Sequence, residues 1–553
     1  MLSVPARAAI IGALFAAFVT LPGLGTGTLW DNSETAYGEV AREVLLTRDW
    51  VVMHLNLQPW FVQPPLYFWI AAAFAKVLGA GTLALRLPSA LATIAMGGLA
   101  GYGTARIAGG RAGTIAALVL STALMQAIVG RLAIMDALLD LAVTAAILWG
   151  FRALDPAGGV RRRDAACLGA AVALALGTLA KGPVAPVIVA LVLGVWAIWE
   201  ARAGRLAAPR ARALILGAAL FIAITLPWFV ALTARVGVSG VAELIGHYTV
   251  GRYTGVIENQ HGPIWYYIPV LILGFFPWIA FVPVAIAAAW RIARTPEGHF
   301  ARLALVWTIV PFVFFSCAST KLPNYVALML PALAIVVALW FDAIAEHGRR
   351  RGALVSAATI PAFVGLVAVA ITLFARSNKL DAATEALTGQ FAFLGIAMLV
   401  GGLATVAVLA RRATAHTAPY VLAVTSGALV LFIALIAEPV AEPLKPIPPI
   451  ASTINANATP ADTIAIRGVS GGNGLTFYTR PPTKNITDDD QSFVSTICPG
   501  GTAWIVTRPI DVAHLTALAQ SLQRTATLVE ERPNGPHHKA ALLKITGPDC
   551  PHD

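Results

Sequence analysis

The chain has 553 residues, of which 58% are hydrophobic and only 12% charged, and its mean hydropathy is +0.75. A soluble globular chain carries roughly 25% charged residues, so the composition excludes a soluble fold, a disordered segment, a collagen and a disulfide scaffold. The formal charge of +11 would indicate a nucleic-acid partner only if the basic residues gathered in a patch. Four cysteines without a CxxC pair offer no metal-site spacing.

In chain order, apolar runs long enough to cross a bilayer fall near 8–24, 82–103, 112–130, 132–150, 165–180, 183–200 and 213–233. They continue near 264–290, 303–318, 324–344, 353–375, 391–410 and 418–438, about thirteen spans in all. Arg7 precedes the first run, but no small-x-small cleavage site stands before Gly23, so the run reads as an anchor and not a leader. The stretch GLGTGT at 23–28 echoes a phosphate-binding loop but lacks the strand–turn–helix setting, and reads as a flexible exit from the first span. Within the first long outer loop, 25–81, Tyr37, Val40, Ala41, Val44 and Leu45 share one helical face. Glu39, Arg42 and Glu43 take the other, which describes an amphipathic helix lying on the membrane surface. A second helix, Leu66 to Val77, follows the Pro64-Pro65 break.

About half of the basic residues cluster in alternate short loops, including Arg106, Arg111, Arg161, Arg162, Arg163, Arg202, Arg205, Arg291 and Arg294. The positive-inside rule puts these loops and the N-terminus in the cytoplasm, and an odd number of spans then puts the C-terminus outside. The positive charge therefore orients the chain in a bilayer, and no nucleic-acid partner is expected. The membrane unit covers 1–440. Residues 441–553 open with the proline-rich linker EPLKPIPPI and carry strand-like runs at Thr463–Ile466 and Ala503–Thr507 and a helical run at Asp511–Leu522. The fold class is an α-helical polytopic membrane protein with amphipathic helices in its first outer loop and a small outer α/β domain. Asp488 to Asp490 read as a solvated loop, and Cys498 and Cys550 are free to pair or not in an oxidising compartment.

Ionisable residues at membrane depth are costly and so are functional candidates. Here they collect at the outer ends of the spans. Asp31, Ser33 and Glu34 lie in LWDNSETAY, and Trp60, Gln63 and Tyr67 in PWFVQPPLYFW. Arg131, Asp136 and Asp140 lie in GRLAIMDALLD, and Lys181 in LAKGPVAP. Arg252, Tyr253, Glu258 and His261 lie in GRYTGVIENQH, and Lys321, Asn324 and Tyr325 in STKLPNYV. Outside the cytoplasm there is no ATP or nucleotide-sugar supply, and the chain has no P-loop. A donor must then travel in the membrane, as an activated group on a polyprenyl phosphate. Releasing that phosphate calls for Arg or Lys, and activating an acceptor hydroxyl calls for a carboxylate. Blander readings stand beside these: Glu34 as an acid favoured near a helix start, Asp136 as a partner of Arg131, Lys181 and Lys321 as snorkelling lysines, and His261 as a loop hydrogen-bonder. Trp30, Trp60, Trp265 and Trp278 fit an aromatic belt, with Trp60 alternatively lining a sugar pocket.

Several motifs in one order resemble a family. They are LWDNSETAYGEVARE, WVVMHLN, PPLYFW, the Arg131–Asp136 spacing, KGP at Lys181, RYT at Arg252, PIWYYIPVLILGFFPW and TKLPNYVALMLPALA. Together they resemble the GT-C glycosyltransferases, in particular the bacterial aminoarabinose transferases of lipid A and the protein-mannosyltransferase-like group. The resemblance covers about residues 20–345. It implies a polyprenyl-phosphate-sugar donor, inversion at the anomeric carbon, and an active site at the first outer loop, on the periplasmic face of a bacterial inner membrane. The acceptor it implies is lipid A, another glycolipid or a glycan. The aminoarabinose transferases carry Asp-Glu where this chain has Ser33-Glu34, and Glu-Lys where it has Val62-Gln63. The expected machinery is Glu34 as base, assisted by Asp31 or Asp136, with Lys321, Arg252, Arg131 and Lys181 on the donor phosphate. Ser33, Gln63, Trp60, Tyr67, Tyr253, His261 and Tyr325 are expected to line the pocket. No cofactor or metal site is expected, and dependence on a divalent cation is left open. The alternatives are a protein O-mannosyltransferase-like enzyme, a lipid-linked-sugar transporter, and a glycan-binding receptor. A transporter would spread polar residues through the membrane depth, and a receptor leaves the gathered charges unexplained.

Overall fold

The computed structural model describes the chain except residues 1, 31, 258, 348–350, 378–381, 412–413, 481, 535–537 and 551–553. Asp31 and Glu258, both singled out by sequence, lie outside the described residues. Helix α1 (Val4–Thr20) leads into the first outer loop, which holds α2 (Ser33–Thr47), a short antiparallel pair β1 (His54–Leu55) and β2 (Gln58–Pro59), and α3 (Leu66–Leu78). The bundle continues through α4 (Thr82–Ala108), α5 (Gly110–Thr122), α6 (Leu124–Arg131), α7 (Asp136–Leu154), α8 (Val160–Lys181), α9 (Val184–Ala201) and α10 (Ala211–Ala242). A π-helical stretch, Glu243–Gly251, is followed by α11 (Arg252–Thr254), α12 (Tyr267–Gly274), α13 (Val282–Ala293), α14 (His299–Cys317) and α15 (Leu330–His347). The last membrane helices are α16 (Arg351–Ser377), α17 (Ala382–Ala410), α18 (Ala418–Phe432) and α19 (Glu438–Ala441).

Among the described residues ten segments are long and apolar enough to span, and two bent helix pairs bring the total to 12. With the shorter α1, every run expected from composition is helical. Helix α1 packs against α4 at backbone contact: a Cβ on Gly12 would lie 2.5 Å from the Gly97 carbonyl oxygen. Such close approach is how helices associate where lipid offers no hydrophobic drive. One bent pair is α5–α6, turned by 63° at Ala123. Ser121 and Thr122 each donate to the carbonyl four residues back, at 2.7 Å, a bond that competes with regular helix continuation.

The outer domain adds α20 (Ile447–Asn457), α21 (Gly472–Tyr478), α22 (Asp490–Ile497) and α23 (Pro509–Ser521) around a five-stranded sheet. Its strands are β3 (Thr463–Arg467), β4 (Lys484–Ile486), β5 (Ala503–Thr507), β6 (Thr525–Asn534) and β7 (His538–Thr546), in the order β4-β3-β5-β7-β6. The first three are parallel, and β7 and β6 extend the sheet antiparallel. Cys498 and Cys550 form a disulfide.

Four expectations change or sharpen. The proline-rich linker ends inside a helix: its IPPI segment forms the first turn of α20, where proline lacks only an N–H the helix would leave unbonded. The Asp488–Asp490 run is exposed as expected and also starts a helix: Asp489 caps α22 by accepting from the Ser492 N–H at 2.7 Å, and Asp490 is the first residue of α22. The stretch 23–28 is pinned rather than flexible. Thr28 donates its N–H to Glu442 at 2.9 Å and accepts from the Lys445 ammonium on its carbonyl at 2.9 Å. Helix α2 forms, but its charged face is not on solvent, because Glu39 and Glu43 are fully buried. The outer domain sits over it: Arg42 pairs with Glu39 through two 2.8 Å bonds, donates to the Thr476 carbonyl and lies over the Phe477 ring. Asn56 and Thr483 exchange two 2.8 Å bonds beside it.

Candidate active site

Helix α8 ends at Lys181 because Gly182 turns into a left-handed conformation (φ +70°), with its N–H on the Thr178 carbonyl at 2.8 Å. Pro183 then precedes α9, so the KGP sequence delivers a lysine at the head of two antiparallel helices. Asp136 is the first residue of α7. Its Oδ1 accepts from the Lys181 ammonium at 2.5 Å and from the Asn324 amide at 2.7 Å, and Oδ2 takes part in no hydrogen bond among the described residues. The Lys181 nitrogen also lies 5.3 Å from the Tyr325 ring centre. The RYT and TKLPNY loops are joined through main chain. Ser319 donates to Tyr253 at 2.9 Å, Thr320 to Arg252 at 3.0 Å, and Lys321 to Gln260 at 2.9 Å.

These elements surround a cavity of about 860 Å³. Asp136, Lys181, Arg252, Tyr253 and Tyr325 line it, with Ser33 and Gln63 from the first outer loop. The remaining wall is largely apolar, with Leu139, Val184, Val187 and Leu328 among its members. Asp140, one helical turn below Asp136, also lines it; it is buried, and its Oδ2 has no hydrogen-bond partner among the described residues. A cavity with two cations and two carboxylates against an apolar wall suits an amphiphile carrying an anionic, hydroxyl-rich head.

Residues 62–230 match the family described as dolichyl-phosphate-mannose-protein mannosyltransferase. An undecaprenyl phosphate-alpha-4-amino-4-deoxy-L-arabinose arabinosyl transferase 2 of Proteus mirabilis is 30% identical over 373 residues, 66% of this chain and 65% of that protein, so the match spans just under two thirds of that relative. The corresponding transferase of Pectobacterium carotovorum is 28% identical over 417 residues, 73% of this chain and 72% of its own. Among solved structures, ArnT from Cupriavidus metallidurans bound to undecaprenyl phosphate superposes with a TM-score of 0.82 at 23% identity, covering 97% of each chain. An Archaeoglobus fulgidus oligosaccharyltransferase superposes at 0.52 with 13% identity, covering 93% of this chain and 70% of its own. The chain has the GT-C fold of that ArnT.

Within this GT-C fold some expected residues stand apart from the cavity. Glu34, expected as the base, is 1% exposed and its four acceptor positions are filled. Arg86 donates to both oxygens at 2.9 and 2.8 Å, and the Ala133 and Trp30 N–H groups add bonds at 2.6 and 2.9 Å. Lys321, expected on the phosphate, is buried and donates to the Ser316 and Ala318 carbonyls at 2.8 and 2.7 Å, closing the end of α14. Arg131 is held by the Thr20 and Pro22 carbonyls at 2.6 and 2.9 Å, and Lys181, not Arg131, is the partner of Asp136. Tyr67 is fully buried with its hydroxyl on the Leu85 carbonyl at 2.8 Å. Trp60 packs edge-on against Tyr37 and Phe68, and neither it nor Tyr67 lines the cavity. His261 is exposed beside the Asn259 carbonyl, away from the cavity wall.

Sequence reasoning missed Arg86 and the cavity role of Tyr37. Arg86 had a usable signal, a lone arginine in the first turns of the apolar run TLALRLPSALA, where a charge requires a partner. Tyr37 was assigned to the apolar face of α2, yet it also lines the cavity.

Proposed function

We propose that the chain is an inverting glycosyltransferase that moves a sugar from a polyprenyl-phosphate donor to a lipid A-type or other glycolipid acceptor at the periplasmic face of a bacterial inner membrane. The observation that carries this reading is the convergence of Asp136, Lys181, Arg252 and Tyr325 on one largely apolar cavity. The names of the relatives make undecaprenyl-phosphate-linked 4-amino-4-deoxy-L-arabinose the first donor to try. Lys181 and Arg252 take the donor phosphate, and the apolar wall takes the first isoprene units. Asp136 accepts the proton of the acceptor hydroxyl. The acceptor oxygen then bonds to the anomeric carbon as the carbon–oxygen bond to phosphate breaks, and polyprenyl phosphate leaves with the electron pair. Ser33, Gln63 and Tyr253 contact the sugar. The base role first expected of Glu34 passes to Asp136, whose Oδ2 is unengaged among the described residues; Asp31 remains a second candidate carboxylate, from the first outer loop. The N-terminus lies in the cytoplasm and the outer domain in the periplasm, supported by the arginine-rich loops and by the disulfide, which suits an oxidising compartment.

The test is reconstitution in lipid with that donor and lipid A, read by mass spectrometry of the product. The parent transfers the sugar, and Asp136→Asn lowers the rate by about a hundredfold or more, the range of general acid–base catalysis. Full transfer by Asp136→Asn would sink the base assignment, and no transfer from any polyprenyl-phosphate sugar would sink the reading as a whole.

A further inference from the structure

Ile128 and Leu132 are walls of two cavities. On their other side a second space of about 330 Å³ lies between α6 and the segment running from α18 through the π-helical turn Ile433–Ala437 into α19. On α6, Leu124, Ala127, Ile128 and Arg131 fall at i, i+3, i+4 and i+7, a single stripe along this space. Across from it Val430, Ala434, Ala437 and Ala441 form a second stripe. The alanines create the room, since larger residues at these positions would close the gap between the helices. Both walls belong to segments apolar enough to sit in a bilayer, and the exposed Phe391 of α17 borders them.

The polar end of this groove holds Arg86, Arg131, Trp30 and Glu438. Arg86 makes a two-bond pair with Glu34 and lies 3.5 Å from the Glu438 carboxylate, which also accepts from the Trp30 ring N–H at 3.3 Å. An anion arriving at Arg131 would meet Glu438 as its one acidic neighbour among the described residues of the groove lining. Arg131 is 9% exposed and makes no ion pair among the described residues. Both of its bonds come from Nη1, and its Nη2 is buried without a hydrogen-bond partner among the described residues. A buried guanidinium N–H left unbonded is unfavourable, and an anionic oxygen arriving there would satisfy it. An alanine-lined groove at membrane depth that ends on such a group has the chemistry of an acyl-chain lipid with a phosphate-bearing head. The donor's proposed cations, Lys181 and Arg252, line the other cavity.

We propose that this groove binds the acceptor, a phosphorylated acyl glycolipid of the outer leaflet, with its phosphate on Arg131 and a chain between the two helical stripes. Donor and acceptor then approach the turn between Arg131 and Asp136 from opposite sides, separated by the width of α6. This rests on the transferase reading for the word acceptor; the groove itself is tested by binding.

The full-length protein in nanodiscs is titrated with bisphosphorylated lipid A, with its dephosphorylated form, and with phosphatidylglycerol, and bound lipid is counted by native mass spectrometry. Two variants are compared with the parent: Arg131→Gln, and Ala437→Trp, which fills the groove without replacing the arginine. The expected result is about tenfold weaker binding of bisphosphorylated lipid A to each variant. The parent shows a similar loss with the dephosphorylated lipid, and in turnover the acceptor KM rises while the donor KM stays unchanged. If Ala437→Trp weakens undecaprenyl phosphate binding instead, the groove belongs to the donor. If phosphatidylglycerol displaces lipid A at equal concentration, it is a bulk-lipid groove. Either outcome overturns the proposal. A parent that binds lipid A in the groove but transfers no sugar would sink the transferase reading alone, whereas transfer with undiminished lipid A binding in both variants would sink the groove alone.

Discussion

Glu34 and Asp136 are both buried carboxylates, and what surrounds each decides its use. Glu34 accepts four hydrogen bonds, two of them from Arg86, so protonating it would break bonds that join α2, α4 and the α6–α7 turn. Asp136 receives two bonds on one oxygen and lines the cavity. Glu34→Ala or Arg86→Ala each strands a buried charge and is expected to destabilise the fold by about 3–5 kcal/mol. Asp136→Asn keeps an oxygen for Lys181 and Asn324 but removes the counter-charge of the Lys181 ammonium at the cavity wall, so it should cost about 1–3 kcal/mol, less than Glu34→Ala. The two variants should therefore separate, Glu34→Ala losing mainly stability and Asp136→Asn losing turnover per folded molecule; equal melting of Glu34→Ala and the parent would refute the structural role. The sequence marked both acids as candidates because each interrupts an apolar setting. It placed Glu34 first as the base, because the residue that locks Glu34 lies on another helix and local pattern does not encode pairing across helices.

At the scale of elements, the helices were readable because a bilayer demands long apolar runs, and each such run is a helix. Less readable were the places where chain direction changes. Gly182 is one: its φ of +70° lies in the region that side chains avoid, and it sets where Lys181 enters the cavity. Gly182→Ala should cost about 1–3 kcal/mol and reduce transfer more than the melting shift accounts for, read as kcat per folded molecule. The polar face of α2 was misread as solvated because nothing local announces that a distant domain covers it. That cover has a consequence for pH. Burial, with Glu39 beside it, pushes the Glu43 carboxyl up from 4.5 to about 8, against the bonds from the Leu57 and Asn56 backbone. Between those values the folded chain keeps a proton that the unfolded chain has released. Stability should thus fall as pH rises from about 4.5 to 8, by at most about 1.4 kcal/mol per pH unit, and level off above it. Glu43→Gln should flatten that slope; an unchanged pH profile of the melting temperature in Glu43→Gln would contradict the assignment.

For the whole molecule, the basic loops and the outer domain define opposite faces. Asp136 at the start of α7 and Lys181 at the end of α8 share the cavity with Ser33 of α2, the helix that the outer domain covers, while the arginine-rich turn between α7 and α8 lies at the opposite ends of those two helices. If the positive-inside rule holds, that turn is cytoplasmic and the sheet domain is periplasmic. Two exposed positions report on this directly: Gly159, with open space around it, in the α7–α8 turn, and Ser521 at the end of α23. The free cysteines Cys167 and Cys317 are first replaced by serine, and the bonded pair Cys498–Cys550 is retained. In intact spheroplasts a membrane-impermeant maleimide should label Ser521→Cys and spare Gly159→Cys, and both should be labelled after lysis. The reverse pattern would place the cavity on the cytoplasmic face, where soluble nucleotide-sugars are present, and the case for a lipid-carried donor would lose its physical basis.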